Sequence, residues 1–411
     1  MKINKHCFPN GLRLVHYEDT STQMVALNIV YDVGARDEHP EHTGFAHLFE
    51  HLMFGGSAHI PDYDTPLQLA GGENNAWTNN DITNYYLTVP KPNVETAFWL
   101  ESDRMLELAF SEQSLEVQRG VVMEEFKQRC LNQPYGDVGH LFRPLAFRVH
   151  PYRWPTIGKE LSHIEQATLD EVKSFFYRFY APNNAVLAVT GNISWDETVK
   201  LTEKWFAPIP RRDVPVRQLP QEPEQTQERR LTVERNVPLD ALFMGYHMCG
   251  RESADYYAFD ILSDILSNGR SSRLNRRLVQ EQNIFSGIDA YISGTRDAGL
   301  LQISGKPAAG VSLEQAEAAV RRELEELRQS PVGAQELEKV KNKFESTQIF
   351  GNINYLNVAT NLAWFELTGK AEDIDLEVER YRSVTTEQLH TVAQRAFCEN
   401  NTVVLYYKSD K

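Results

Sequence analysis

The chain has 411 residues, of which 42 are basic and 57 acidic, so its formal net charge at neutral pH is −15. An apolar content of 41% and a charged content of 24% are ordinary for a globular protein, and the length allows two or three domains. The acidic balance argues against nucleic acid or an anionic membrane surface as the main partner, and no run of about 18 apolar residues predicts a membrane span.

The four cysteines are few and widely scattered, at Cys7, Cys130, Cys249 and Cys398. No C-x-x-C pair occurs among them, which argues against a zinc knot and against a disulfide framework. Reduced thiols are typical of cytosolic proteins, and the first residues lack the apolar core of a signal peptide. We therefore expect a cytoplasmic protein, with a periplasmic location open if a leader has been removed.

The first predicted elements are a strand over residues 25–31, where apolar side chains alternate, and a helix for which Thr43 can serve as the cap. An H-x-x-E-H box, His47 to His51, lies on this helix among apolar side chains. The two imidazoles stand at positions i and i+4, so both point from the same helix face and can bind one ion. Glu50 points to the same side. Such a set can hold a hydrolytic zinc ion and supply a base, although chance alone also produces some spacings of this kind.

Two further elements follow in the first half. Residues 75–89 predict a strand suited to the edge of a sheet, and residues 118–126 predict a helix. In that helix Glu124 and Glu125 follow an apolar Val-Val-Met run. A catalytic zinc site takes three protein ligands and keeps one position open, so this carboxylate pair is the best candidate for the third ligand. The alternative is a solvated glutamate pair on an amphipathic helix.

The remaining elements indicate an internal duplication. A capping box at Thr168 opens a helix, which an Asn pair and an apolar strand over residues 185–190 follow. The same order recurs 217 residues later, with a box at Thr385 and a strand over residues 402–407. This repetition predicts an α+β fold with two homologous domains, each a mainly antiparallel sheet with helices packed on one face.

A proline-rich segment separates the two copies. Residues 208–226 hold five prolines among Arg, Gln and Glu, which favours an extended and solvated linker. We predict a zinc-bearing first domain over residues 1–207, a linker over 208–230 and a metal-free second domain over 231–411.

The second domain carries no metal box. In its aligned helix, residues 256–266, Asp260 and Asp264 stand in place of the two histidines, and Ser263 stands in place of the glutamate. We therefore expect this domain to be structural or to face the substrate.

Three motifs in this order resemble those of the pitrilysin, insulinase and mitochondrial-processing-peptidase family of zinc metallopeptidases. The H-x-x-E-H box is the first of them. The run from Gly71 to Tyr85 is similar to the family's G-G-x-x-N-A-x-T-x-x-D-x-T-x-Y, and the run from Gln118 to Glu125 is similar to its E-R-x-V-V-x-E-E. The chain resembles a half-size, bacterial-type member of that family.

The resemblance implies a metalloendopeptidase with one zinc ion per chain, held by His47, His51 and Glu125. Glu50 would be the general base that takes a proton from the attacking water. The resemblance also implies two related domains that face each other across a cleft, and a strand that pairs with extended peptide substrate. The substrate-binding residues of that strand would be Asn75, Ala76, Trp77 and Thr78.

Two places depart from the family's pattern. The family usually has a glutamate seven residues before the third ligand, where this chain has Gln118. We expect Gln118 and Glu124 to lie behind the ligands and support them. In the second half, active single-chain members have an Arg and a Tyr that reach the active site, where this chain has Val279 and Ser286.

The second departure predicts that the chain works with a partner. Since valine donates no hydrogen bond to an oxyanion, a half-size homologous subunit that carries the Arg and Tyr would complete the enzyme. In the alternative, a homodimer uses a nearby side chain instead, from the set Arg270, Arg273, Arg276 and Tyr291. The expected function is zinc-dependent cleavage of unfolded peptides, and the rival functions are a non-catalytic scaffold and a metal-binding subunit that holds peptides without cutting them.

Overall fold

The computed structural model describes residues 1–410, which form eleven strands and fourteen helices in two compact units. The first unit comprises Met1–Arg129, Trp154–Leu219 and Gln348–Glu377. The second comprises Cys130–Arg153, Pro220–Thr347 and the chain from Val378 onward. Within residues 1–410, no helix combines the length and the apolar character that crossing a membrane requires.

The first unit is built on a six-stranded sheet with the strand order β1-β2-β6-β3-β5-β4. All neighbouring strands are antiparallel except β2 and β6, which are parallel. The strands are β1 (Asn4–Cys7), β2 (Arg13–Glu18), β3 (Met24–Tyr31), β4 (Glu73–Thr78), β5 (Thr83–Pro90) and β6 (Ala185–Gly191). Its helices are α1 (Phe45–Leu52), α2 (Asp64–Leu69), α3 (Val94–Leu106), α4 (Glu112–Phe126), α6 (Leu161–Glu165), α7 (Leu169–Phe179), α8 (Trp195–Trp205) and α12 (Tyr355–Thr368).

The second unit repeats this plan on a five-stranded sheet with the order β7-β11-β8-β10-β9, in which only β7 and β11 are parallel. The strands are β7 (Arg229–Arg235), β8 (Ala241–Met248), β9 (Phe285–Ile292), β10 (Gly299–Pro307) and β11 (Thr402–Ser409). Its helices are α5 (Val138–Ala146), α9 (Tyr256–Ser267), α10 (Leu313–Gln329), α11 (Ala334–Gly351, which ends in the first unit), α13 (Glu377–Ser383) and α14 (Thr386–Ala396).

The two units share strand order and local chemistry, which confirms the predicted α+β class with two related, mainly antiparallel sheets. Helices α7 and α14 both begin with a capping box, at Thr168 and Thr385. The asparagine before each following strand makes the same bond. Asn184 Nδ2 donates to the Phe179 carbonyl at 2.8 Å, and Asn401 Nδ2 donates to the Ala396 carbonyl at 2.8 Å.

The helical layers differ from the expectation in one respect, because each sheet has helices on one face and one further helix on the other. In the first unit α12 packs on the side of the sheet that includes Val15, Ala26 and Ala188. In the second unit α5 packs on the side that includes Leu300 and Val403. Strands such as β6, which is buried along its whole length, need apolar cover on both faces. Segment 130–153, from the first half of the sequence, therefore belongs to the second unit, and segment 348–377, from the second half, belongs to the first unit. The compact units are thus not the contiguous ranges 1–207 and 231–411.

The predicted strand over residues 75–89 is a hairpin of two strands, β4 and β5. Between them Asn79 closes a turn, since its side-chain oxygen accepts hydrogen bonds from the backbone N–H groups of Asp81 and Ile82 at 2.7 and 2.9 Å. Strand β5 pairs with β3 on its other side and is internal, whereas β4 lies at the edge of the sheet. The edge position that the sequence assigned to the whole segment belongs to β4 alone.

A buried ion pair lies beside β5. Arg104 and Glu101, both on α3, are almost fully inaccessible to solvent and are joined by hydrogen bonds of 3.0 and 2.5 Å. The Arg104 guanidinium also lies 4.6 Å from the ring centre of Tyr63 and 4.5 Å from that of Tyr85. A charge this far from water is tolerated only because its partners remain in place.

We predict that Glu101→Gln lowers the free energy of unfolding by about 3 kcal/mol, because it leaves the buried Arg104 charge without its counter-ion. Urea unfolding monitored by circular dichroism measures the change. Glu95→Gln is the matched control, since Glu95 pairs with Lys204 at the surface and its loss should change stability little. Equal stability of Glu101→Gln and the control would contradict the prediction.

Candidate metal centre

Helix α1 is fixed at its start by a buried carboxylate. Both oxygens of Glu38 accept backbone hydrogen bonds, from the N–H groups of Gly44 and Ala46, each at 2.9 Å. Burial raises the pKa of Glu38 to about 8. Gly44 is the residue that caps the helix, with a φ of 88° that favours glycine. The prediction that Thr43 caps the helix is wrong, because the Thr43 hydroxyl lies 2.8 Å from His163 Nδ1 instead.

Helices α1 and α4 bring two imidazoles and one carboxylate together. The Nε2 atoms of His47 and His51 lie 3.5 and 3.3 Å from Oε2 of Glu125. One ligand atom from each of the three residues falls within 4.8 Å of the others, and this is the one such group of His, Cys, Asp or Glu among the described residues. The three residues that the sequence proposed as ligands are therefore neighbours in space.

The protonation of these groups fits a metal ion. Burial lowers the pKa of His47 to about 4, so its imidazole is neutral at physiological pH, as a ligand must be. The hydrogen bond with His51, acting against burial, holds the pKa of Glu125 below its usual range. His47 Nδ1 is buried and has no hydrogen-bond partner in the protein. Two imidazole nitrogens and one carboxylate oxygen are a donor set that suits zinc and leaves a fourth position open.

Glu50 lies beside this group without belonging to it. The residue is half-buried, and burial raises its pKa, while a hydrogen bond from the Thr78 side chain acts in the opposite direction. A carboxylate whose pKa is moved toward neutrality is suited to accept a proton. Below it, the Tyr85 hydroxyl donates to the Phe49 carbonyl at 3.2 Å and so ties helix α1 to strand β5.

The proposed substrate-binding residues lie on the edge strand β4. Its register pairs Asn75 with Tyr86 and Thr78 with Thr83. Ala76 packs against the same core as α1, and Trp77 packs on the opposite face of the sheet with α12. The backbone of β4 thus runs along the site with one paired side and one edge, and its Thr78 side chain reaches Glu50.

The residues expected to support the ligands lie in different surroundings. Glu124 is largely exposed, and its carboxylate lies 3.7 Å from Lys127 Nζ, so it faces away from the ligand group. Gln118 is half-buried on α4, two turns before Glu125. The close contact that the sequence analysis missed is Arg129, whose Nη2 lies 2.9 Å from Glu125 Oε1. The i, i+4 spacing of acid and base could have revealed it.

Helix α9 in the second unit uses its aligned acidic residues for internal hydrogen bonds. Asp260 accepts from the Tyr381 hydroxyl, and Asp264 accepts from Asn268 Nδ2 at 2.7 Å. The Ser263 hydroxyl donates to the Asp260 carbonyl at 2.8 Å. Within the described residues this helix contributes to no group of metal ligands.

The positions of the missing Arg and Tyr have ordinary structural surroundings. Val279 lies in a π-helical turn and packs against the apolar core of the second unit. Ser286 is exposed on β9, and its hydroxyl donates to the Lys306 carbonyl at 3.1 Å. Among the candidate replacements, Arg273 pairs with Glu336 at 2.8 Å, and the remaining three have exposed side chains: Arg270, Arg276 and Tyr291.

Comparison with known proteins places both halves of the chain in one family. A family model described as Insulinase (Peptidase family M16) matches residues 13–137. A second model, described as Peptidase M16 inactive domain, matches residues 166–344. The first match contains the whole candidate metal centre, and the second covers most of the repeat that lacks it.

Individual relatives cover nearly the full length. The chain is 26% identical over 405 residues to the zinc protease PqqE of Helicobacter pylori, an alignment that covers 97% of this chain and 91% of that protein. It is 24% identical to the uncharacterized zinc protease YmxG of Bacillus subtilis, with 98% of each chain covered. The crystal structure of a protease from Helicobacter pylori superposes with a TM-score of 0.94 at 26% identity and 99% coverage of both chains. The chain is therefore a half-size member of the insulinase family of peptidases.

Proposed function

We propose that the chain is a zinc-dependent endopeptidase that cuts unfolded peptides or small proteins. The observation that carries the proposal is the meeting of His47, His51 and Glu125 within 4.8 Å, with the carboxylate of Glu50 beside them. The names of the relatives support it, since those from Helicobacter pylori and Bacillus subtilis are both called zinc proteases.

The chemistry follows from the roles these side chains can fill. His47, His51 and Glu125 would hold one zinc ion, which when bound lowers the pKa of a water molecule and polarises the scissile carbonyl. Glu50 is the general base: it takes a proton from the attacking water and returns it to the leaving amine. Thr78, on the edge strand, lies beside the Glu50 carboxylate and opposes the rise in its pKa.

The substrate class follows from the edge strand. An extended peptide can add to the open side of β4 by main-chain hydrogen bonds, which align it along Asn75 to Thr78. Such pairing reads little side-chain information and requires a segment without secondary structure of its own. We infer that the enzyme takes unfolded segments and has modest sequence preference.

A two-chain enzyme is the form that we propose. Neither position offers a donor to an oxyanion, since Val279 has an apolar side chain that packs against the core of its unit and the Ser286 hydroxyl donates to a backbone carbonyl. A homologous half-size subunit with the Arg and Tyr would supply them. The rival form is a homodimer that uses Arg270, Arg276 or Tyr291, and the rival function is a subunit that binds zinc and holds peptides without cutting them.

We also propose a cytoplasmic location. Cys7, Cys249 and Cys398 carry free thiols, and Cys7 is exposed. Free thiols are the usual state in a reducing compartment.

We predict that Glu50→Gln retains zinc and the fold but lowers kcat by about 100- to 10,000-fold, the range that general acid–base groups contribute. Glutamine keeps the shape of the side chain and cannot take the proton. Peptide hydrolysis is measured at equal metal content, which atomic absorption establishes for each protein. Wild-type turnover by a zinc-loaded Glu50→Gln protein would refute the assignment of the base.

We predict that purified protein holds close to one zinc per chain and that Glu125→Gln weakens zinc binding by more than 100-fold, because a weak two-imidazole pair remains. Glu124→Gln is the adjacent control and should bind zinc like the wild type, since its side chain faces solvent. Competition with a chromophoric chelator measures both. The reverse pattern, with loss in Glu124→Gln only, would show that the third ligand is misassigned.

We predict that the isolated, zinc-loaded chain cleaves peptide poorly and that adding a half-size homologue with the Arg and Tyr but without the metal box restores activity. The double variant Val279→Arg, Ser286→Tyr tests whether the same groups can act from this chain. Size-exclusion chromatography with assay of each fraction separates the species. Robust hydrolysis by the homogeneous chain would show that it needs no second subunit.

A further inference from the structure

The two oxygens of the Glu125 carboxylate have different partners. Oε2 faces the imidazoles, 3.5 Å from His47 Nε2 and 3.3 Å from His51 Nε2. Oε1 faces the other way and lies 2.9 Å from Nη2 of Arg129. One oxygen is thus directed into the ligand group and the other is held outside it.

Arg129 lies just after a change in helix type. Helix α4 ends at Phe126, and the chain continues in a π-helical turn, Lys127–Leu131. Cys130 is buried in this turn, whereas the side chain of Arg129 is 68% exposed. Single π-helical turns are frequent at functional sites because the wider turn redirects side chains. Here the turn lies directly after the proposed third ligand.

We propose that Arg129 is a positioning residue that makes Glu125 a one-oxygen ligand. The inference rests on the proposed zinc site. A carboxylate can bind a metal through one oxygen or through both, and a second oxygen would fill the position that a catalytic site keeps for water. The ion pair with the guanidinium, whose Nη2 lies 2.9 Å away, occupies Oε1, so that Oε2 alone is available to the metal.

Two effects of Arg129 on the metal oppose each other. Its positive charge repels a nearby cation, but the side chain is largely exposed and solvent and salt screen this repulsion. Its ion pair restricts the rotation of the proposed ligand Glu125, and the loss of such a partner typically lowers metal affinity or activity about 10- to 100-fold. Orientation is therefore the larger effect, and removal of Arg129 should weaken zinc binding. An ordinary surface ion pair would leave zinc binding unchanged.

The test compares Arg129→Gln, Arg129→Lys and Lys127→Gln in the full chain. Lys127→Gln is the matched control, because it also removes a positive charge from this turn. Lys127 pairs with Glu124 and not with Glu125. Zinc affinity is measured by chelator competition, and coordination number is measured from the visible spectrum of the cobalt(II)-substituted protein. Tetrahedral cobalt absorbs more strongly than five-coordinate cobalt, so the spectrum reports whether the carboxylate binds through one oxygen or two.

We expect Arg129→Gln to lower zinc affinity by about 10-fold or more and to weaken the cobalt absorption. Arg129→Lys can still donate to Oε1, so it should retain most of the zinc affinity and most of the cobalt absorption. Lys127→Gln should match the wild type in both measurements. Wild-type affinity and cobalt spectrum in Arg129→Gln would overturn the inference, as would an equal loss in Lys127→Gln. If Glu125→Gln also binds zinc like the wild type, the zinc site itself has failed. If Glu125→Gln loses zinc while Arg129→Gln does not, only the role of Arg129 has failed.

Discussion

The candidate site depends on holding two imidazoles and a carboxylate with their possible ligand atoms within 4.8 Å of one another, one side chain buried and two half-buried. These polar groups stay close together only if other contacts hold the helices that carry them in place. Glu38 and Gly44 fix the start of α1, and Tyr85 bonds to the backbone near its end. Ser111 caps α4. The geometry is therefore set at helix ends and in the adjacent sheet, and the candidate ligand side chains extend from these fixed helices.

Sequence reasoning predicted the parts of the candidate site that are local in the chain. His47, Glu50 and His51 lie on one helix turn, where spacing alone determines which side chains share a face. Glu125 is a different case, because no spacing rule links residues on separate helices, and the resemblance to a family supplied it. Arg129 was within reach of an i, i+4 rule, but only the tertiary structure shows which oxygen it contacts.

The sequence predicted the repeated sheets of the fold, but it did not predict that each half contributes a helix to the sheet of the other half. Capping boxes and strand patterns recur 217 residues apart, which established two related sheets. Asn79-Asn80-Asp81 is a turn signal, and in the structure this turn divides residues 75–89 into the two strands of a hairpin. The sequence could not predict that α5 and α12 pack on the sheet of the other half, because the pattern of an amphipathic helix does not indicate which sheet it covers.

Helix α12 comes from the second half of the sequence and packs on the first sheet, so the first unit cannot finish folding until α12 has been synthesised. The last strand of the first sheet ends at Gly191, yet the helix that covers one of its faces ends at Thr368. At roughly 5–20 residues per second, a ribosome takes on the order of ten seconds or more to make the chain between them. During that time the apolar face around Val15, Ala26 and Ala188 has no cover of its own. The unit that holds the candidate metal centre is therefore completed late in synthesis, once α12 has been made.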